Sequence, residues 1–439
     1  MRKINTDVLI VGTGVAGLYC ALNLNRKYHV TMLSKKSADE CNTYLAQGGI
    51  SVCLNKFDVD SFMNDTMNAG MQLNDKDAVK TLVLESMENI DLLDRLGVPF
   101  NKINNGFVYT KEGGHEKNRI VHCDDITGKE VFNTLYSIVK SLPNVEILEN
   151  AEMFDLNLVN NLCLGGYSIY EKEILYIVAK ITLIASGGVG GLFKNSTNQP
   201  CLTGDGIGMV NRESIKVSSM EHIQFHPTAL LTDKSSSKRR FLISEALRGE
   251  GALLHNSEGE RFVDELLPRN VVAAAIFKEI GKTGSPCVYL DISHKGRENI
   301  RKRFPKIYFQ CLEYGIDIAK DRIPVAPSQH YLMGGISVDL FGRTGANNLY
   351  AAGECACTGV HGGNRLASNS LLECLVFSRR AASDMMKSIT SVGEAYKDYI
   401  SDKVFSIEDG HEVSRKNRLE VIRMIKEVRK DLENELVDC

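Results

Sequence analysis

Three glycines carry the first chemical suggestion. Gly12-Thr13-Gly14-Val15-Ala16-Gly17 has the spacing G-x-G-x-x-G. Its chemistry is recognition of phosphate by the backbone. The first glycine permits a tight turn, the second lets the main chain approach a pyrophosphate, and the third lets the next helix pack on the preceding strand. The helix start then offers N–H donors and the positive end of its dipole. The spacing alone is a weak signal, and a glycine turn without a ligand is the alternative. The context favours the dinucleotide. Residues 7–11 (DVLIV) read as a buried parallel strand, a helix-like stretch runs from Val15 to about Asn25, and residues 29–33 (HVTML) read as a second strand.

The nicotinamide version of this motif expects an acidic residue after the second strand, where it holds the ribose 2′-OH. The chain has Ser34-Lys35-Lys36 there, which argues against NAD and leaves a lysine for a phosphate or an adenosine. Further glycine clusters follow: Ala46-Gln47-Gly48-Gly49, Ser186-Gly187-Gly188, Thr203-Gly204-Asp205-Gly206 and Ala352-Gly353-Glu354. Each alone is a turn. Several at strand ends, with acids beside them, suit an extended dinucleotide along the C-terminal edge of a parallel sheet.

The elements that would position these groups are legible in outline. Strands are expected at 145–148, 181–185 and 349–352, and helices at 81–96 and 366–386. The charged stretch 235–240 reads as a surface loop. Beyond residue 402, Leu419, Ile422, Ile425, Val428, Leu432 and Leu436 recur at three- and four-residue intervals. That pattern predicts an amphipathic helix docked on the rest of the chain. A length of 439 residues implies two or three domains.

Composition narrows the function. A net charge of −3 gives no basic excess for a nucleic-acid partner. The apolar run 174–185 is interrupted by Lys180 and is too short to span a bilayer, so no membrane partner is expected. No secretory signal fits the start of the chain. The 12 cysteines are scattered without a CxxC pair, and Cys355-Ala-Cys357 has the wrong spacing for a zinc knuckle. They read as reduced thiols in a cytoplasmic protein. His222 and His226 are four apart, as in a metal pair, but a residue before proline disfavours the helix such a pair needs, so no metal is expected.

Longer motifs then identify a family. Residues 43–50 (TYLAQGGI), 112–115 (EGGH), 224–228 (QFHPT), 245–251 (EALRGEG), 290–294 (LDISH) and 361–373 (HGGNRLASNSLLE) resemble the flavoproteins of the succinate dehydrogenase, fumarate reductase and L-aspartate oxidase family. The likeness runs from about Asp7 to about Met385. It implies an α/β fold with a Rossmann-like FAD-binding domain in two segments, 1–219 and 331–388. An α+β capping domain would be inserted at 220–330, and a short helical region would occupy 389–439. Oxidases of this family usually continue into a longer helical domain.

The resemblance carries site residues with it. Gly12 to Gly17, Lys35, Asn42, Thr43, Gln47, Gly48, Gly49, Asp205, Glu354, Ser370 and Leu371 are expected to hold FAD. Family dehydrogenases bind FAD covalently through a histidine just before the equivalent of Thr43; Asn42 stands there, so non-covalent FAD is expected. Family oxidases carry the glutamate matched by Glu112, and an anion there suits a substrate with an ammonium group. This pair favours L-aspartate over succinate, with a soluble fumarate reductase or succinate dehydrogenase-type flavoprotein as the alternative.

The implied reaction is oxidation of L-aspartate to iminoaspartate, the first step of de novo NAD biosynthesis. Oxygen or fumarate would accept the electrons, and the pathway implies a link to quinolinate synthase. Arg269 and Arg365 can fork onto carboxylates. His226 and His330 can donate from their rings, and Ser244 and Thr228 add hydroxyls. Ser244 replaces the family's usual threonine. Arg269 matches the family's proton-transfer arginine; its ordinary pKa, above ~12, keeps a purely electrostatic role open.

Overall fold

The computed structural model describes residues 1–104, 106–232, 239–393 and 403–437. Its central sheet runs Val145–Glu149, Val30–Ser34, Arg2–Val11, Glu173–Ile184, all parallel. The far edge of Glu173–Ile184 is shared. Its first half pairs antiparallel with Leu162–Tyr170, and its last residues pair parallel with Leu349–Ala351. Gly12, Gly187 and Gly353 lie just past the C-terminal ends of three of these parallel strands.

The first strand starts at Arg2, well before the apolar run at residue 7. Its ladder with the partner strand extends from Arg2↔Leu175 to Val11↔Ile184, so the partner's length sets the strand rather than local hydrophobicity. Lys180, which interrupts that partner's apolar run, is satisfied across the ladder by Asp7 at 3.0 Å. A hairpin of Glu152–Val159 and Leu162–Tyr170 was not anticipated. Its signal was present: Asn160-Asn161 both take positive φ, as a type I′ turn requires.

Helix Val15–Asn23 packs on helix Asn369–Ser388 under one face of the sheet. The latter begins three residues later than the predicted 366, because Ser368 takes φ 63°. A second, antiparallel sheet has the order Ile223–Leu230, Ile323–Leu332, Val288–Asp291, Leu253–His255. It packs with helix Arg269–Thr283 around its own core, which includes Leu230, Leu254, Ile276, Leu290 and Val325. The predicted loop at 235–240 falls mostly on positions outside the described residues.

The C-terminal helix is Ile407–Val428, closed by a capping box of Ser406 and Asp409. Val421, Ile422 and Ile425 are buried with the core beneath strand Glu152–Val159 and helix Asp205–Arg212. The predicted stripe is not one helix, however. Val428 is 50% exposed, the helix ends there, and Leu432 and Leu436 reach the core from a separate turn. Among the described residues, no helix is long and apolar enough to cross a membrane.

Candidate functional site

One long cleft runs along the C-terminal edge of the parallel sheet and ends beneath the second sheet, enclosing about 1910 Å³ with its open mouth included. Its near end is made by the turn at residues 12–16. Gly12 takes φ +120°, and a Cβ there would lie 2.1 Å from the Ala185 carbonyl oxygen. Gly14 precedes helix Val15–Asn23 without a side-chain cap, so the first-turn amides remain for a ligand apart from Val15 N–H, which donates to Thr43 Oγ1 at 3.0 Å. At the end of the second strand, Lys35 Nζ donates to Asp205 Oδ2 at 2.7 Å and to Thr203 Oγ1 at 2.8 Å. A lysine held between acids here suits the adenosine end of a dinucleotide.

The middle of the cleft is lined by Asn42, Thr43, Gln47, Gly48, Gly49, Glu354, Ser370 and Leu371. Asn42 donates to Asn198 Oδ1 and accepts from Gln199 N–H at 3.0 Å. Among the described residues, the Gln47 side-chain oxygen Oε1 is buried without a partner, as a group waiting for a ligand would be. Glu354 accepts from Leu332 N–H at 3.1 Å, and burial pushes its carboxyl up to about 7. An elongated cradle with backbone donors at one end and amide groups at its centre fits FAD.

At the far end, two strands of the second sheet and the starts of helices Glu245–Gly249 and Arg269–Thr283 converge. His226 lies on strand Ile223–Leu230, His330 on Ile323–Leu332, and Arg269 opens helix Arg269–Thr283. The two imidazole rings are 5.1 Å apart. His226 Nδ1 accepts from Thr228 N–H at 3.2 Å, which fixes the proton on Nε2. Among the described residues that Nε2 is buried without a partner, and it can donate to a ligand in the cleft. Burial, followed by the positive charge of Arg269 and a neighbouring histidine, holds His226 well below the usual range. Burial, then Arg365 and Arg269, does the same to His330. Both are therefore neutral donors near neutral pH.

The charges here are few and dry. Arg269 is bound by Glu245 and donates to Gln224 Oε1 at 3.1 Å. Arg365 donates to Ser370 Oγ at 2.8 Å and to Gln224 Oε1 at 3.3 Å, and its Nε has no partner among the described residues. Burial, reinforced by the charge of Arg269, lowers Arg365 to about 10. Glu112 accepts from Ser368 Oγ at 2.6 Å; burial, then the nearby Glu245 carboxylate, raises it. Burial alone would raise Glu245 as well, but Arg269 and Arg248 hold it below the usual range. The pocket thus offers cationic and neutral donors around one acid with raised affinity for a proton, a set able to seat a small dianion bearing an ammonium group.

Six of the seven side chains expected to act on substrate line this end of the cleft: Glu112, His226, Ser244, Arg269, His330 and Arg365. Ser244 also caps helix Glu245–Gly249 by accepting from Ala246 N–H at 3.2 Å. Two expectations need correction. Gly17 does not line the cleft; a Cβ there would lie 2.1 Å from the Gly12 carbonyl oxygen, so its role is helix packing. Thr228 does not line it either, since its hydroxyl donates to the Ile243 carbonyl at 2.8 Å. The sequence reading missed Gln224, which bridges both arginines. Its signal was its place two residues before His226, because alternate residues of a strand share a face. It also missed Glu245 and Ser368, whose partners become adjacent only in the fold.

The FAD-binding domain family model matches residues 7–371. The L-aspartate oxidase of Clostridium acetobutylicum is 52% identical over 437 residues, covering 99% of this chain and 100% of the relative. The chain belongs to the L-aspartate oxidase family. The family's Pseudomonas aeruginosa member is 43% identical, over 91% of this chain and 78% of its own length. The chain thus spans the whole length of the clostridial relative and 78% of the Pseudomonas one. Among solved structures, an Escherichia coli quinol fumarate reductase superposes with a TM-score of 0.84 at 27% identity, covering 99% of this chain and 83% of that one. The two chains thus share their overall fold.

Proposed function

We propose that this chain oxidises L-aspartate to iminoaspartate with bound, non-covalent FAD, as the first step of de novo NAD biosynthesis. The observation that carries the reading is Glu112. A pocket of arginines and histidines binds dicarboxylates in general; a buried acid among them disfavours succinate and favours a dicarboxylate with an ammonium group. Asn42 supports a non-covalent cofactor, because an amide nitrogen engaged by Asn198 is no nucleophile. FAD, when bound, supplies the two-electron acceptor that takes hydride from the substrate Cα.

In this reading the chain's own groups bind and orient. Arg365 forks onto one carboxylate, while Arg269, His226 and His330 receive the other. Glu112 meets the ammonium group, which must shed a proton as the imine forms. Its raised proton affinity makes it suited to hold that proton next to the substrate nitrogen. Arg269, tied to Glu245, supplies fixed positive charge. Residues 220–330 act as a cap that closes over the cleft and excludes water; their separate core supports a unit able to move as a body. Oxygen or fumarate serves as the final electron acceptor. The unstable product is passed to quinolinate synthase, and the setting is cytoplasmic.

The test is an anaerobic titration of the flavin-loaded protein with L-aspartate and, separately, with succinate. Bleaching by L-aspartate is the expected result. Bleaching by succinate alone sinks the reading and favours a succinate dehydrogenase or fumarate reductase activity.

A further inference from the structure

Behind Arg365 lies a buried acid that the reaction does not use. Glu373 is 1% exposed, sits on helix Asn369–Ser388 and does not line the cleft. It accepts from Tyr331 OH at 3.0 Å, from His361 Nε2 at 2.9 Å and from the hydroxyl of Thr358. Tyr331 turns its ring toward the cleft, and the guanidinium of Arg365 lies 4.6 Å from the ring centroid. The ring of His361 packs edge-on against Tyr331 at 5.4 Å.

A buried carboxylate is costly unless it is paired, and three side chains pair this one. Burial alone would raise Glu373, yet His361 and the two hydroxyls hold it below the usual range. It is therefore a fixed anion. It cannot reach a ligand, but it fixes the phenol, and the phenol's ring face carries Arg365. Among the described residues, Arg365 pairs with no carboxylate; its hydrogen-bond partners there are Ser370 and Gln224. The aromatic face thus stands where an acid would otherwise compete with the substrate for the guanidinium. A cation over an aromatic face in a dry site is held firmly while its N–H edge stays open.

We propose that Tyr331 and Glu373 form a buried positioning relay that presents Arg365, charged and with a free edge, to one carboxylate of the substrate. The relay rests on the reading of Arg365 as a dicarboxylate-binding group. Neither residue is catalytic, since neither acts on the reacting atoms. The relay predicts a graded response: Tyr331→Phe keeps the ring and loses the tether, Tyr331→Leu loses both, and Glu373→Gln keeps hydrogen-bonding capacity and loses the charge.

The experiment uses the flavin-loaded protein and two readouts. One is the steady-state KM and kcat for L-aspartate. The other is the dissociation constant of malonate, a dianion that cannot be oxidised at a Cα–N bond, read from the flavin absorbance. Expected for Tyr331→Leu is a rise of about 10-fold in both KM and the malonate constant, in line with a desolvated cation–π contact. For Tyr331→Phe and Glu373→Gln a rise of about 3-fold is expected, with kcat and flavin content within about 2-fold of the parent in all three. Malonate binding unchanged in Tyr331→Leu overturns the relay. So does a loss of kcat and flavin content with no change in KM, which marks a merely structural role. Should Tyr331→Leu fail to fold, Tyr331→Phe decides by the same criteria. A parent protein that L-aspartate does not reduce counts against the proposed function, while the malonate series still reads the relay.

Discussion

At one end of the cleft, the single turn at residues 12–16 offers main-chain groups to a ligand. At the other, side chains come from a loop, two strands of the second sheet and the starts of two helices. The first end depends on what is missing, namely Cβ atoms at Gly12 and Gly17 that would strike carbonyl oxygens at 2.1 Å. The second depends on what is added: His226, His330 and Arg365 lose water on folding and change their charge behaviour as a result. A backbone cradle can be damaged by one methyl group. A side-chain pocket is damaged by changing charge at constant shape.

The comparison is sharpest at Arg269. Arg269→Gln removes a fixed cation from the substrate end, and kcat/KM for L-aspartate should fall roughly 10³-fold. Flavin binding, measured by absorbance after gel filtration, should persist, because Arg269 is far from the glycine turn. Loss of flavin in this variant would break the division between the two ends.

Gly12→Ala attacks the other end. Its Cβ would meet the Ala185 carbonyl, and alanine resists φ +120°, so a stability loss of about 3 kcal/mol is expected. Gly14→Ala is the control, since its Cβ would meet nothing closer than Thr43 Oγ1 at 3.4 Å. It should fold normally and bind FAD less tightly. Thermal melting with and without FAD separates the two variants, and equal melting losses would contradict the assignment.

Glu112→Gln changes charge at nearly constant shape. KM for L-aspartate should rise about 10-fold, as for loss of a charge-assisted hydrogen bond. The malonate dissociation constant should stay level or fall, since malonate has no ammonium group. Equal weakening of both ligands would remove Glu112 from the account of specificity.

The smallest effect concerns the cleft's middle. Burial raises Glu354 to about 7 in the folded chain, from an ordinary value near 4.5. Between those values the folded state binds more protons than the unfolded state, so stability is full below the lower value and is lost as pH rises through about 7. The FAD-free protein should therefore melt at a lower temperature at pH 8 than at pH 5, and Glu354→Gln should flatten that part of the curve. A slope unchanged by the substitution would assign it to other groups.

The sequence by itself determined the dinucleotide turn, the strands on either side of it and the docked C-terminal helix. These follow from spacing, hydrophobic period and steric limits within a few residues, which a chain carries wherever it goes. It also supplied the six substrate-end side chains, but only through long motifs, because no local rule brings Glu112 to Arg365. Tertiary structure alone decided that Gln224 bridges the two arginines, that Ser368 holds Glu112, that Thr228 turns away and that Tyr331 and Glu373 stand behind Arg365. It decided protonation as well. The pull of burial against neighbouring charge is a property of the assembled pocket, and a lone histidine or glutamate in a sequence gives no sign of it.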